Sequence, residues 1–263
     1  MNYEKELRRA IEAAKLAEKE ILRIYQTPFE VETKSDDSPV TAADKIADKL
    51  IREYLAAAFP DYGFLTEESQ DTDERFSKEY VWIVDPVDGT KEFVSRNGQF
   101  TTNIALARNG EIVVGVINAP ILGLLYYAVK GEGAYRLNAV NGRETRIHVS
   151  DRNDNLRAMR SISFYKEDEK KFMAEHRSHF EGMPMMVGAA LKFCRIAEGS
   201  AEFFYRISSG TKEWDVAPGD LIVKEAGGFM GQPDGTFFTY NRHDVYNRNG
   251  YVIANKKENA FLK

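Results

Sequence analysis

The chain has 263 residues, a formal net charge of -5, and 43% apolar and 29% charged side chains, which is the make-up of a globular protein with ample core. The acidic balance argues against a nucleic-acid polymer or an anionic membrane surface as main partner, but allows a small phosphate ester where a bound metal inverts the local sign. A single cysteine, Cys194, excludes an intramolecular disulfide and suits a reducing compartment.

Met1 to Gln26 is charged throughout, so neither a signal peptide nor an anchor is expected there. No apolar run approaches the roughly 20 residues of a membrane helix. The expected location is the cytoplasm, with peripheral membrane association left open. Leu7, Ile11, Ala14, Ile21 and Tyr25 recur at helical spacing and predict an amphipathic helix that Thr27-Pro28 ends. A polar loop from Lys34 to Pro39 leads to a second helix, about Thr41 to Ala58, which Pro60-Asp61-Tyr62-Gly63 breaks. Val81-Trp82-Ile83-Val84 reads as a buried strand, stopped by Pro86 and Gly89, with Asp85 and Asp88 at its carboxyl end. Further strands are expected at 101–107, 111–118, 123–129 and 134–137, the first two joined by the turn signal Asn109-Gly110. The second half alternates: strands at 159–164, 185–187, 201–207 and 251–254, helices at 168–180, 189–197 and 215–226. The fold class is therefore α+β followed by α/β. It divides the chain into an N-terminal half, 1–150, and a C-terminal half, 151–263, packed closely together.

Two carboxylates three residues apart at a strand end repel unless a proton or cation lies between them. A hard divalent ion with oxygen ligands resolves the conflict at neutral pH. For Asp85 a purely structural role is the weaker explanation, because a carboxylate closing a buried strand is costly unless paired or metal-bound. Asp44, Glu67, Glu68 and Asp215 are further acidic positions, each with a plain explanation. Thr41-x-x-Asp44 resembles a helix capping pair. Glu67-Glu68 fits a solvated loop. Asp215 fits an N-cap, opening a helix whose first turn tolerates Pro218. No G-x-x-x-x-G-K-[ST] is present, so this is not a P-loop protein. Gly131-Glu132-Gly133 lacks the third glycine of a dinucleotide fingerprint and reads as a hairpin turn. His148, His176, His179 and His243 show no zinc-ligand spacing and read as surface residues, although His176 and His179 share a helix face.

In order and spacing, Glu67-Glu68-Ser69, Asp85-Pro86-Val87-Asp88-Gly89-Thr90, Trp214-Asp215 and Glu225-Ala226-Gly227-Gly228 resemble the lithium-sensitive, magnesium-dependent phosphomonoesterases. That superfamily holds inositol monophosphatases, fructose-1,6-bisphosphatases and bisphosphate nucleotidases, and the resemblance runs from about Leu7 to Ala254. It implies a layered αβαβα sandwich of the sugar-phosphatase type. It also implies two or three Mg²⁺ ions held by Glu68, Asp85, the Val87 carbonyl, Asp88 and Asp215, with inhibition by Li⁺. Asp44 and Thr90 are implied as the catalytic pair, Asp44 accepting a proton through Thr90 to orient the attacking water. Glu67 is implied as accessory, as is Lys34, in the loop that in the family helps hold a further metal and water. Backbone N–H groups of Gly89 and Thr90 are implied as holders of phosphate oxygens. Two-metal sites of this kind need no covalent phosphoenzyme.

Lys91-Glu92-Phe93, Arg96-Asn97-Gly98-Gln99-Phe100-Thr101, Leu191-Lys192-Phe193-Cys194 and Arg206 resemble the 3'(2'),5'-bisphosphate nucleotidase branch, of CysQ type. The implied reaction removes the 3'-phosphate of adenosine 3',5'-bisphosphate to give AMP. Gly89, Thr90, Lys91, Gly188, Lys192, Arg206 and Asp215 are the implied contacts to that nucleoside bisphosphate. A second phosphate needs cations outside the metal site, which Lys192 and Arg206 would supply. The plain alternative makes Lys192 a helix-surface residue and Arg206 the polar end of a strand. Gly188-Ala189-Ala190 departs from the Gly-Ser-Ser usual in the branch, removing two potential hydrogen bonds of about 0.5–1.5 kcal/mol each. Pro218-Gly219 is a smaller departure. The alanines favour, as alternative, an inositol-phosphate or broad sugar-phosphate phosphatase. A non-catalytic nucleotide sensor is a third reading, but it has no need of the full set Asp44, Glu68, Asp85, Asp88, Thr90 and Asp215. Monomer and homodimer are both open.

Overall fold

The computed structural model describes residues 3–33, 39–207 and 209–262. Ala10, Ala13, Ala14, Ala17, Ile21 and Ile24 fall on one stripe of α1 (Glu4–Tyr25) and are buried, as their three- and four-residue spacing requires. A two-stranded ribbon, β1 (Val31–Thr33) and β2 (Pro39–Thr41), leads into α2 (Ala42–Ala58). Thr41 caps α2: its backbone is extended, its Oγ1 accepts from the Ala43 N–H, and the Asp44 carboxylate takes the Thr41 N–H at 2.8 Å.

A seven-stranded sheet follows, ordered as β3 (Gly63–Thr66), β4 (Tyr80–Asp88), β5 (Thr101–Arg108), β6 (Glu111–Ala119), β7 (Leu124–Val129), β8 (Gly133–Asn138) and β9 (Glu144–Ile147). Only the β3–β4 pair is parallel. Between β4 and β5 lies the short helix α3 (Thr90–Val94). Alternation along the strands sends Trp82, Val84, Ile104 and Leu106 to the α1–α2 side, while Val81, Ile83, Ala105 and Ala107 face the other way.

The second half builds a five-stranded sheet from β10 (Ala158–Ser161), β11 (Met185–Val187), β12 (Phe203–Arg206), β13 (Phe229–Gly231) and β14 (Tyr251–Ala254), with α4 (Glu167–Glu175), α5 (Leu191–Ala197) and α6 (Glu213–Glu225) between them. Its order is β11-β10-β12-β14-β13, with β10 parallel to both neighbours and β14 antiparallel to both of its own. Phe193, Val216, Ala217 and Ile222 of α5 and α6 share one core with the inner faces of both sheets, and Phe172 of α4 packs on the outer face of the smaller. The layers therefore run helix, sheet, helix, sheet, helix, the αβαβα sandwich expected from the sequence. No helix among the described residues is long and apolar enough to cross a membrane.

Several boundaries differ from expectation for identifiable reasons. Pro86 does not stop β4, which continues to Asp88 through a register shift: Asp85 opposes Asn103 and Asp88 opposes Thr101. Two residues of β4 thus face one of β5, a bulge, where a proline's missing N–H removes no ladder bond. Helix α6 begins at Glu213, so Pro218 falls in its second turn rather than its first. The Trp214 carbonyl, left without the bond Pro218 cannot give, lies 3.5 Å from Asn103 Nδ2. The expected helix at 168–180 is α4 followed by a 3-10 turn, Arg177–His179, and α5 starts at Leu191 because Ala189 adopts a left-handed φ of 47°. The strand expected at 159–164 ends at Ser161. Strands β9, mostly exposed, and β13, three residues long, carry too little pattern to announce themselves.

Candidate active site

The carboxyl ends of β3 and β4 and the first turn of α6 meet in one place. Carboxylate oxygens of Asp85, Asp88 and Asp215 all lie within 4.8 Å of one another. The bulge makes this possible: in a regular strand, residues three apart point to opposite faces, and the extra residue turns Asp88 back towards Asp85. Asp215 is the third residue of its helix, not the N-cap, and its Oδ2 accepts the Lys212 N–H at 2.6 Å.

Burial holds all three carboxyls above their ordinary range. For Asp85, burial is followed by repulsion from Glu67, Asp88, Asp215 and Asp44. Asp88 is raised to about 6 by burial, against the pull of Lys192 and a hydrogen bond from Asn103. Burial, then Asp88 and Glu67, raises Asp215 to about 8. An all-oxygen donor set under such mutual repulsion fits a hard divalent cation.

Glu67, not Glu68, lines the cavity with these three. The sequence places the expected ligand on Glu68 and an accessory role on Glu67, and pairing explains why Glu67 is the one that lines the cavity. Thr66 is in parallel register with Val84, and the Glu67 N–H donates to the Val84 carbonyl, so the next step sets Glu67 beside Asp85. Glu68 follows in the bend after β3 and is not among the residues that line the cavity. Lys34 lies outside the described residues.

Thr90 Oγ1 stands 3.2 Å from Asp44 Oδ1 and 3.2 Å from the Val87 carbonyl. The other Asp44 oxygen, Oδ2, accepts from Thr41 N and Thr41 Oγ1. One carboxylate therefore serves both as cap of α2 and as partner of Thr90. Gly89 precedes α3 with φ 87°, and a Cβ there would come within 3.0 Å of the Ala189 methyl, so the turn requires glycine.

The cavity, which measures about 300 Å³, is also lined by Lys192, Arg206, Lys212 and Trp214. Lys192 is 5% exposed and no surface residue; its Nζ donates to the Ala189 carbonyl, and burial lowers its pKa to about 8 against the pull of Asp88. Arg206 is buried as well. Lys91 and Ala189 line the cavity, whereas Gly188, expected among the substrate contacts, does not. Its N–H bonds Gln99 Oε1 at 3.0 Å, and an added Cβ would meet the Gln99 carbonyl at 2.7 Å.

Sequence reasoning missed several residues here. Asn103, fully buried within an apolar strand, donates to Asp88 Oδ2 at 3.1 Å and accepts from Thr101 Oγ1 at 3.0 Å. An amide in the middle of a buried strand was the available signal. Glu213, buried at the start of α6, accepts from Asn241 N, Arg242 N and Arg242 Nε. The fully buried Arg75 clamps that same loop by donating to the Arg242 carbonyl while pairing with Asp71. Phe164, Lys166, Thr211 and Tyr251 also line the cavity. His179 is exposed and His176 half-buried, its Nδ1 bonded to the Phe172 carbonyl.

The family model described as "Inositol monophosphatase family" matches residues 2–262. A protein named 3'(2'),5'-bisphosphate nucleotidase CysQ from Salmonella typhimurium is 36% identical over 251 residues, covering 94% of this chain and 99% of the relative. A Nus factor SuhB from Pasteurella multocida is 31% identical, covering 93% of this chain and 89% of the relative. Among solved structures, CysQ from Bacteroides thetaiotaomicron, titled a bacterial member of the inositol monophosphatase family, superposes with a TM-score of 0.83 at 32% identity, covering 99% of both chains.

Proposed function

The chain belongs to the inositol monophosphatase family, and from that membership we propose a phosphatase that converts adenosine 3',5'-bisphosphate to AMP and phosphate. The observation that carries this reading is the joint lining of one cavity by a three-carboxylate cluster and two buried cations, Lys192 and Arg206. A phosphate ester with one charged group needs only the first, and a bisphosphate uses both. The CysQ relatives, named as bisphosphate nucleotidases, support the same substrate class.

Glu67, Asp85, the Val87 carbonyl, Asp88 and Asp215 would hold Mg²⁺, with Li⁺ inhibiting by competition. Bound there, the metal supplies charge neutralisation for the transferring phosphoryl group and acidifies water. Asp44 takes a proton through the Thr90 hydroxyl, whose oxygen also lies 3.2 Å from the Val87 carbonyl. Asn103 orients Asp88, and the bond from Lys212 N fixes Asp215. Residues 1–150 would contribute the Glu67, Asp85, Asp88 and Thr90 end, and residues 151–263 the Asp215, Lys192 and Arg206 wall. The buried free thiol of Cys194 is consistent with a reducing, cytoplasmic setting.

A second reading, an inositol-phosphate or sugar-phosphate phosphatase, is favoured by Ala189, which presents a methyl group to the cavity. Both readings are tested by assaying the purified protein with Mg²⁺ on adenosine 3',5'-bisphosphate, inositol 1-phosphate and fructose 1,6-bisphosphate. The nucleotide is expected to give the highest kcat/KM. A preference for either sugar-type ester overturns the nucleotidase assignment and leaves the phosphatase in place.

A further inference from the structure

Among the described residues four aromatic rings line the cavity, and three are already engaged. Phe193 and Tyr251 stack with centroids 5.8 Å apart, Trp214 carries Lys212 at 5.3 Å, and all three are nearly buried. Phe164 lines the same cavity and is 41% exposed. Two cations rest on it: Lys91 Nζ is 4.2 Å from the ring centroid and the Arg206 guanidinium 5.2 Å. The ring's position is set by its neighbour, since Ser163 Oγ donates to Glu92 Oε1 at 2.6 Å and Glu92 is a buried residue of α3. The same short helix begins with Thr90 and Lys91. Phe164 is thus tethered to the turn that carries the phosphate chemistry.

We propose that Phe164 is the platform on which the substrate's nucleobase stacks, and so the residue that separates nucleotides from sugar phosphates. The inference rests on the nucleotidase reading above. Every base has a flat π face that stacks on an aromatic side chain, whereas an inositol or sugar ring has none. A phosphate is also a better partner for Lys91 and Arg206 than a phenyl ring, because charge-assisted hydrogen bonds outweigh exposed cation–π contacts. A nucleoside bisphosphate therefore exchanges both contacts at once. Its second phosphate draws the cations off the ring, and its base takes the uncovered face. This gives the site a source of base recognition that does not depend on hydroxyls at Ala189 and Ala190.

The test compares adenosine 5'-monophosphate with ribose 5-phosphate, which differ by the base, as competitive inhibitors. Inhibition is read on turnover of adenosine 3',5'-bisphosphate or, failing that, of inositol 1-phosphate. In the unmodified protein the nucleotide is expected to bind at least about tenfold more tightly than the sugar phosphate. Phe164→Ala should collapse that ratio to within about twofold, and Phe164→Trp should keep it. Equal inhibition by the two compounds in the unmodified protein, or a ratio unchanged in Phe164→Ala, overturns the proposal. If inositol 1-phosphate proves the better substrate, the nucleotidase reading falls, while the inhibitor ratio still decides the role of the ring.

Discussion

The carboxylate of Asp44 is split between two tasks, with Oδ2 bound to the Thr41 N–H and hydroxyl and Oδ1 3.2 Å from the hydroxyl of Thr90. A capping residue is normally dispensable for chemistry, and a general base is normally dispensable for folding. Here substitution separates the two. Thr90→Val removes only the hydroxyl and should lower kcat by about 10²–10⁴ with little change in Tm, while Thr90→Ser retains most activity. Asp44→Ala should lose activity to a similar degree and in addition about 1 kcal/mol of stability from the lost cap. Steady-state kinetics beside thermal melts checks both.

The metal-free protein should lose stability as pH rises from about 4 to about 8. Asp88 and Asp215 are raised to about 6 and about 8 from ordinary values near 4, so across that window the folded state holds protons the unfolded state has released. Stability falls wherever that is so. Lys192, lowered to about 8, acts with the opposite sign between there and 10.5. Melting curves in EDTA should show Tm dropping by at least about 5 °C between pH 5 and pH 8, with saturating Mg²⁺ restoring most of it at pH 8. A flat EDTA profile would count against a strained carboxylate cluster.

Glu67→Gln should raise the Mg²⁺ concentration for half-maximal activity by at least about tenfold, since even residues one step removed from a metal cost that much. Glu68→Gln should have the smaller effect, because Glu67 is the member of the pair that lines the cavity. A metal titration of both variants reads the difference, and the reverse order would restore Glu68 as ligand.

Asn103→Leu keeps the branching of the side chain and removes the amide that reaches both Asp88 and the Trp214 carbonyl. It should cost about 1–3 kcal/mol, from polar groups left without a partner, and weaken Mg²⁺ activation as Asp88 loses its fixed orientation. Denaturant melts and the same metal titration measure the two effects independently.

Much of this site was legible in the chain, because Asp85, Asp88, Thr90 and Asp215 stand at element ends marked by proline, glycine and helix-start signals. What was not legible depends on pairing. Which of Glu67 and Glu68 faces the cluster is decided by the parallel register with β4, a partner 18 residues away in sequence (Thr66 against Val84). Asn103 reads as a flaw in a strand until Asp88 is opposite it, and Glu213 reads as a surface acid until the loop with Arg242 closes over it. Phe164 follows the last residue of β10 by three and belongs to no element. The tether from Ser163 to Glu92 and the cations of Lys91 and Arg206 on its ring give it a place.

The register shift at Pro86 also makes the site depend on parity. Along a strand, residues an even number apart share a face and residues an odd number apart do not. The spacing of three between Asp85 and Asp88 therefore works only because one residue is left uncounted by the neighbouring strand. Ironing out the bulge with every residue kept would do more than straighten the turn. It would invert the side on which everything from Asp88 onward emerges, taking Gly89, Thr90 and the start of α3 with it. Val87 is fixed in the same way from both sides: its side chain is 1% exposed in the core beneath α1 and α2, and its carbonyl stands 3.2 Å from the Thr90 hydroxyl.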